Sequence, residues 1–163
     1  MVTTSKTSAE SELIVRSATN ADREQVQGLV FGVLNEYGLE PDPEGTDSDL
    51  TDIEKNYIVR GGVFELIETR EGRLLGTAAL YPMDKETVEL RKMYFDKELR
   101  GRGWGSLMLR RLIDRSRELG FKRIYLETAS VLTDATRLYE KFGFVQTQET
   151  HAARSDRGYV LDL

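Results

Sequence analysis

No cysteine occurs in this chain, and that absence removes disulfides, zinc–thiolate centres and a thiol nucleophile at once. It also fits a reducing compartment, so the expected location is the cytoplasm. A lone histidine, His151, supplies no cluster for a transition metal, and no metal site is expected. No apolar run approaches the ~20 residues that a membrane-spanning helix needs. Residues 1–10 are polar, rich in Ser and Thr, and lack the apolar stretch of a secretory signal. A formal net charge of −5 speaks against a nucleic-acid partner.

What is present suits one soluble domain. A length of 163 residues, 39% of them apolar, predicts a single core, placed at 13–163 behind a frayed tail at 1–12. Residues 13–16 read as a strand. Val26, Leu29, Val30, Val33 and Leu34 recur at helical spacing and predict a helix over 21–37, capped by Thr19 or Asn20 and closed by Gly38. A second helix is expected over 49–59, capped by Asp47, Ser48 or Asp49, after a loop framed by Pro41 and Pro43. Strands at 63–68, 74–80 and 87–95 follow in hairpin succession. A helix over 104–119 then carries Met108, Leu109, Leu112, Ile113 and Ser116 on one face. A strand at 123–128, a helix at 134–142 and strands at 144–147 and 159–163 complete the chain. The order β-α-α-β-β-β-α-β-α-β-β joins an antiparallel meander to a βαβ unit, which implies an α/β mixed sheet flanked by helices.

The densest signal lies between a strand and a helix, where Arg100-Gly101-Arg102-Gly103-Trp104-Gly105-Ser106 alternates glycine with larger residues. Alternating glycines bring backbone N–H groups close to a ligand, and a helix start attracts anions through its unpaired N–H groups and dipole. Arg100 and Arg102 add candidate phosphate contacts. From Arg100 to Arg123, eight Arg or Lys face only two acids, Asp114 and Glu118, so a small polyanion is the expected ligand. A P-loop is excluded because no lysine follows the last glycine, and the dinucleotide fingerprint is excluded by a spacing one residue short.

Arg100, Gly103 and Gly105 instead match Arg/Gln-x-x-Gly-x-Gly/Ala, and the segment resembles motif A of the GNAT superfamily of acetyl-CoA-dependent N-acetyltransferases. Residues 88–95 look like that family's fourth strand. Leu138-Tyr139-Glu140-Lys141-Phe142-Gly143-Phe144 looks like its second signature, with Ala135 at its usual alanine. Position 132 departs from the pattern, holding Leu where the family often has a coenzyme-contacting Asn. The resemblance implies a GNAT-like three-layer fold, acetyl-CoA as cosubstrate, and transfer to a primary amine through a tetrahedral intermediate. It also implies that the pantetheine arm pairs with the backbone of Met93, Tyr94 and Phe95, where an N–H of Phe95 or Met93 faces the thioester oxygen. The pyrophosphate then falls to Arg100, Gly101, Arg102, Gly103, Trp104, Gly105 and Ser106.

A primary amine has a pKa of ~10, so a base is needed near neutral pH. Glu89 is the first candidate; it stands eleven residues before Arg100, as does the base glutamate of the histone-acetyltransferase branch. Strand alternation puts Glu89, Arg91 and Met93 on one face, and Leu90, Lys92 and Tyr94 on the other. The resemblance makes Tyr139 the acid that protonates the departing sulfur. His151 is a second candidate base. Arg91, Lys92, Arg154 and Arg157 are candidates to recognise an acceptor carboxylate, whereas Tyr37 and the acidic loop 40–49 would select a cation. The expected acceptor is a small or amino-acid-like amine. The alternatives are a protein N-terminus or lysine, a coenzyme A-binding sensor without catalysis, and a nucleotide-binding module. An exposed sheet end is compatible with a homodimer.

Overall fold

The computed structural model describes residues 2–4 and 13–163. The strands, in chain order, are β1 (Val2–Thr4), β2 (Leu13–Ser17), β3 (Val63–Thr69), β4 (Leu74–Pro82), β5 (Thr87–Phe95), β6 (Arg123–Thr128), β7 (Val145–Thr147) and β8 (Arg157–Asp162). The α-helices are α1 (Arg23–Glu36), α2 (Trp104–Glu118) and α3 (Thr133–Lys141). Among the described residues the strands form one eight-stranded sheet in the order β1-β2-β3-β4-β5-β6-β8-β7. Every neighbouring pair is antiparallel except β5 and β6, joined by the α2 crossover. The fold is the expected mixed sheet in three layers.

Each face of the sheet has its own core. Val26, Val30 and Leu34 of α1, with Leu50, Ile53 and Tyr57, cover Phe64, Leu66 and Ala79. Trp104, Met108, Leu109 and Leu112 of α2 and Tyr139 of α3 cover Ile67, Leu80, Val88, Leu90 and Leu126 on the other side. The entry to α1 follows the sequence: Thr19 accepts from Ala21 N at 3.3 Å while Asp22 accepts from Thr19 N at 2.8 Å, a reciprocal cap.

Two expectations change. The helix expected over 49–59 is two separate turns, a 3-10 turn at Ser48–Thr51 and a π turn at Glu54–Ile58. Asp52 divides them with φ −145° and ψ 85°, outside the helical region. Its carboxylate accepts from Lys55 N and Asn20 Nδ2, both at 3.0 Å, the local bonding by which aspartate competes with a helix ladder. Of the tail expected at 1–12, Val2–Thr4 runs as β1 against β2, with Val2 opposite Val15; residues 1 and 5–12 lie outside the described residues.

Gly62 allows a close approach between the second turn and β4. A methyl group there would sit 2.0 Å from the carbonyl oxygen of Leu80, whereas one on Gly28, inside α1, would meet nothing within 4 Å. Gly62→Ala is therefore expected to cost more than ~2 kcal/mol and several degrees of melting temperature. Gly28→Ala is expected to stabilise by about 0.5–1 kcal/mol through helix propensity. Equal melting curves for the two variants would contradict this packing.

Candidate active site

The site begins where a ladder ends. β5 pairs with β6 only at Thr87, Val88 and Glu89, opposite Arg123, Ile124 and Tyr125. Beyond that point β5 stays on β4 and β6 stays on β8, so the parallel strands diverge and open a wedge at their C-terminal ends. A cleft of about 630 Å³ occupies it, lined by Glu89 to Tyr94 on one side and Glu127 to Ala129 on the other.

A bulge changes which side chains of β5 face which way. Thr77 pairs with Tyr94 but Ala79 pairs with Arg91, so β5 spends one extra residue here. Lys92 takes it up with φ +54°, a left-handed backbone unusual for a side chain of its size, and Thr77 Oγ1 donates to its carbonyl at 2.6 Å. Strict alternation therefore fails after Arg91. Met93 packs with Val88, Leu90 and Phe95 on the α2 side, not with Glu89 and Arg91 as expected. Lys92, expected opposite Arg91, shares its side and meets the same carboxylate, Asp49.

The glycine turn fits a phosphate group. Gly101 and Gly103 have φ +74° and +82°, a conformation that costs other residues ~1–2 kcal/mol. Gly103 caps α2 without a side-chain hydrogen bond, and no acid lies in the first turn. The leading N–H groups of a helix have no intrahelical acceptor, so this end presents donors with no anion of its own. Gly105 lets α2 start close to its neighbours, since a methyl there would lie 3.1 Å from Leu138 Cδ2 and 3.8 Å from Phe95 Cε2. Arg100 and Trp104 also have partners within the protein. Arg100 donates from Nε to Phe95 O at 3.0 Å and from its terminal nitrogens to Glu36 at 2.8 and 3.2 Å, so it braces the turn against β5 and α1. Trp104 is 1% exposed within the core, leaving only its backbone to face a ligand. The wider basic patch is also largely matched, for Arg111 pairs with Glu65 and Arg123 with Asp162 at 2.7 and 2.8 Å.

Glu89, Tyr139, His151, Arg91, Lys92 and Arg154 all line the cleft; Arg157 and Tyr37 do not. Burial raises the Glu89 carboxyl above its ordinary value, against the opposing pull of Arg91, whose Nε donates to it at 2.8 Å. Burial likewise raises the Tyr139 phenol, with Tyr94 adding to the effect. The guanidinium of Arg91 lies 3.7 Å and that of Arg60 4.2 Å from the centre of the Tyr81 ring. His151 sits on a loop held by Glu127 Oε1, which accepts from His151 N and Ala152 N at 2.7 and 2.9 Å. Leu132 also lines the cleft, an apolar side chain in place of an amide.

With that geometry in place, the sequence of residues 31–144 matches the family described as "Acetyltransferase (GNAT) family". The chain belongs to the GNAT acetyltransferase family. It is 33% identical to an uncharacterized N-acetyltransferase, YjgM, of Escherichia coli, over 80% of this chain and 81% of that protein. It is 34% identical to an N-acetylaspartate synthetase of Danio rerio over 63% of this chain, which is 37% of that longer protein. A GNAT acetyltransferase from Staphylococcus aureus superposes with a TM-score of 0.86 over 92% of this chain and 98% of its own, at 24% identity.

This GNAT protein is thus an N-acetyltransferase that uses acetyl-CoA. The wedge and turn fit that donor: the amides of 101–106 would hold the pyrophosphate and the free edge of β5 the pantetheine. Sequence reasoning missed Asp47, Arg60 and Tyr81. Asp47 read as a helix cap, and nothing local distinguishes a cap from a buried carboxylate whose partners are 45 and 107 residues away. Gly103→Ala is expected to weaken acetyl-CoA binding about tenfold by calorimetry, the affinity equivalent of ~1–2 kcal/mol of strain. Gly72→Ala, equally strained at φ +87° in the β3–β4 turn, is expected to leave affinity unchanged. Equal affinities for both variants would contradict the assignment of the phosphates to this turn.

Proposed function

We propose that this enzyme acetylates the primary amine of a small, amino-acid-like acceptor by direct attack on the thioester. The observation that carries the reading is one cleft lined by a largely buried carboxylate, Glu89, a buried phenol, Tyr139, and two arginines over the Tyr81 ring. Acetyl-CoA supplies an activated acyl group on a thiolate leaving group.

The chain supplies the proton transfers and the orientation. An amine arrives as ammonium at neutral pH. Glu89, raised by burial, takes that proton, directly or through one water. A backbone N–H at the bulged end of β5, of Met93 or Phe95, donates to the thioester oxygen, a contact of a kind worth ~3 kcal/mol. Tyr139, kept neutral by burial, donates its hydroxyl proton to the sulfur as it leaves, and the second proton, shed by the nitrogen as it becomes an amide, restores the phenol. Arg91 and Arg60 offer seats for a carboxylate beside the amine. Arg60 donates from Nε to Pro82 O at 2.8 Å, and its position over the Tyr81 ring fixes the guanidinium at the cleft. The name of the Danio rerio relative, N-acetylaspartate synthetase, is that of an enzyme making an acetylated amino acid and supports the same acceptor class.

A thiol-release screen of amino acids, polyamines and aminoglycosides tests the reading. Amino acids are expected to lead, and Tyr139→Phe to lower kcat on the best of them by ~10²-fold or more. Glu89→Gln is expected to abolish an acid limb of the rate profile lying above the ordinary glutamate value of 4.5, because the base works deprotonated and burial moves its titration upward. Preferred turnover of polyamines, or an unchanged rate in Tyr139→Phe, would overturn it.

A further inference from the structure

Asp47 lies outside the lining of the cleft, yet three cleft segments converge on it. Its side chain is 0% exposed. Oδ1 accepts from Lys92 Nζ and from a terminal nitrogen of Arg154, each at 2.8 Å. Oδ2 accepts from the other terminal nitrogen of Arg154 at 2.8 Å and from Asp42 N at 2.9 Å. Burial alone would raise this carboxyl, but the Arg154 hydrogen bonds and the Lys92 charge hold it well below the ordinary aspartate value. It is therefore a fixed anion at any pH at which the enzyme would work.

The three segments have distinct duties. Asp42 and Asp47 belong to the loop between α1 and the 3-10 turn, the near wall of the acceptor side. Arg154 belongs to the loop between β7 and β8, the far wall, and the Tyr94 phenol beside it also neighbours Tyr139. Lys92 is the bulge itself. Its backbone is held in the left-handed region by Thr77 at the carbonyl and by Asp47 at the ammonium. Removing one partner of a buried ion pair leaves the other charged and poorly matched; loss of Asp47 takes both short carboxylate bonds from Arg154 and leaves Lys92 only the longer carboxylate contact to Asp49 at 3.4 Å, so both walls and the bulge loosen together.

We propose that Asp47 is a positioning residue: one buried carboxylate sets the two acceptor-side loops and the β5 bulge in register, so that acceptor seating and the backbone donor for the thioester oxygen are fixed together. The proposal rests on the reading of β5 given above as the strand that faces the thioester. It predicts that Asp47 acts on transfer and acceptor binding, and leaves the phosphate turn alone.

The test compares ¹⁵N-labelled wild type with Asp47→Asn, which keeps the size and removes the charge. The amides of 92–94 and of 152–155 are expected to shift together while those of 104–107 stay in place. Affinity for coenzyme A is expected to fall no more than about threefold, because the phosphate turn keeps its donors and only the pantetheine edge shifts. With the best acceptor, kcat is expected to fall at least tenfold and the acceptor KM to rise. Shifts confined to 42–49, or an unchanged kcat and acceptor KM, overturn the proposal. If Asp47→Asn does not fold, the decision passes to Lys92. Lys92→Gly, which adopts a positive φ freely, is expected to retain at least fivefold more kcat than Lys92→Ala, and equal rates overturn the proposal. A wild type that acetylates nothing in the screen refutes the proposed function; the amide shifts, and for Lys92→Gly against Lys92→Ala those of 92–94, then still decide the role of Asp47.

Discussion

Strands β5 and β6 share ladder positions at Thr87, Val88 and Glu89 and then separate, because each is held by a different antiparallel neighbour. Parallel strands in an α/β sheet ordinarily stay paired, and their ligands sit beyond their carboxyl ends. Here the last paired residue on β5 is Glu89, so the proposed general base stands at the apex of the wedge. The next residues, Leu90 to Tyr94, turn a free edge toward the cleft. The glycine turn follows directly, and α2 starts beside Phe95, the last residue of β5, and Leu138 of α3. The proposed donor seat, oxyanion donor and base would thus be consecutive along the chain and owe their juxtaposition to one break in hydrogen bonding.

The charges in the cleft follow a consistent arrangement. Asp47 and Asp49 are almost wholly buried and neutralised by Lys92, Arg91 and Arg154, with the Tyr57 hydroxyl also donating to Asp49. Fixed charges of this kind cost desolvation energy and are tolerated when they are densely hydrogen-bonded. In return they hold loops that no regular ladder secures. The proposed acceptor walls come from two described segments with little regular secondary structure, 37–47 and 148–156, and buried ion pairs do there what strand pairing does in the rest of the sheet. Glu89 differs from these: burial outweighs its single arginine partner and raises it, which suits a group that must gain a proton.

Much of this was legible in the sequence, and the remainder has a definite cause. The strands 63–69, 74–82 and 87–95 and the helix after Gly103 were readable because period-two and period-3.6 patterns are local. Tyr139 and the glycine turn were legible from their motifs. The bulge was not, since an extra residue inside a strand leaves no composition signal and inverts the alternation beyond it. That inversion moved Met93 to the other face and brought Lys92 beside Arg91. The ion pair of Arg100 with Glu36 was not legible either, because the two lie 64 residues apart in sequence. The turns at Ser48–Thr51 and Glu54–Ile58 read as one helix because Asp52 breaks it through a side-chain hydrogen bond rather than through Gly or Pro.

The account depends on the open edge of β5 being the seat of the coenzyme. Amide hydrogen exchange with and without acetyl-CoA measures this directly. Protection is predicted to appear at 91–95 and 101–106, with β3 and β4 unchanged. Protection instead at the separate groove of Lys85, Leu119 and Phe121, with β5 exchanging as before, would contradict it.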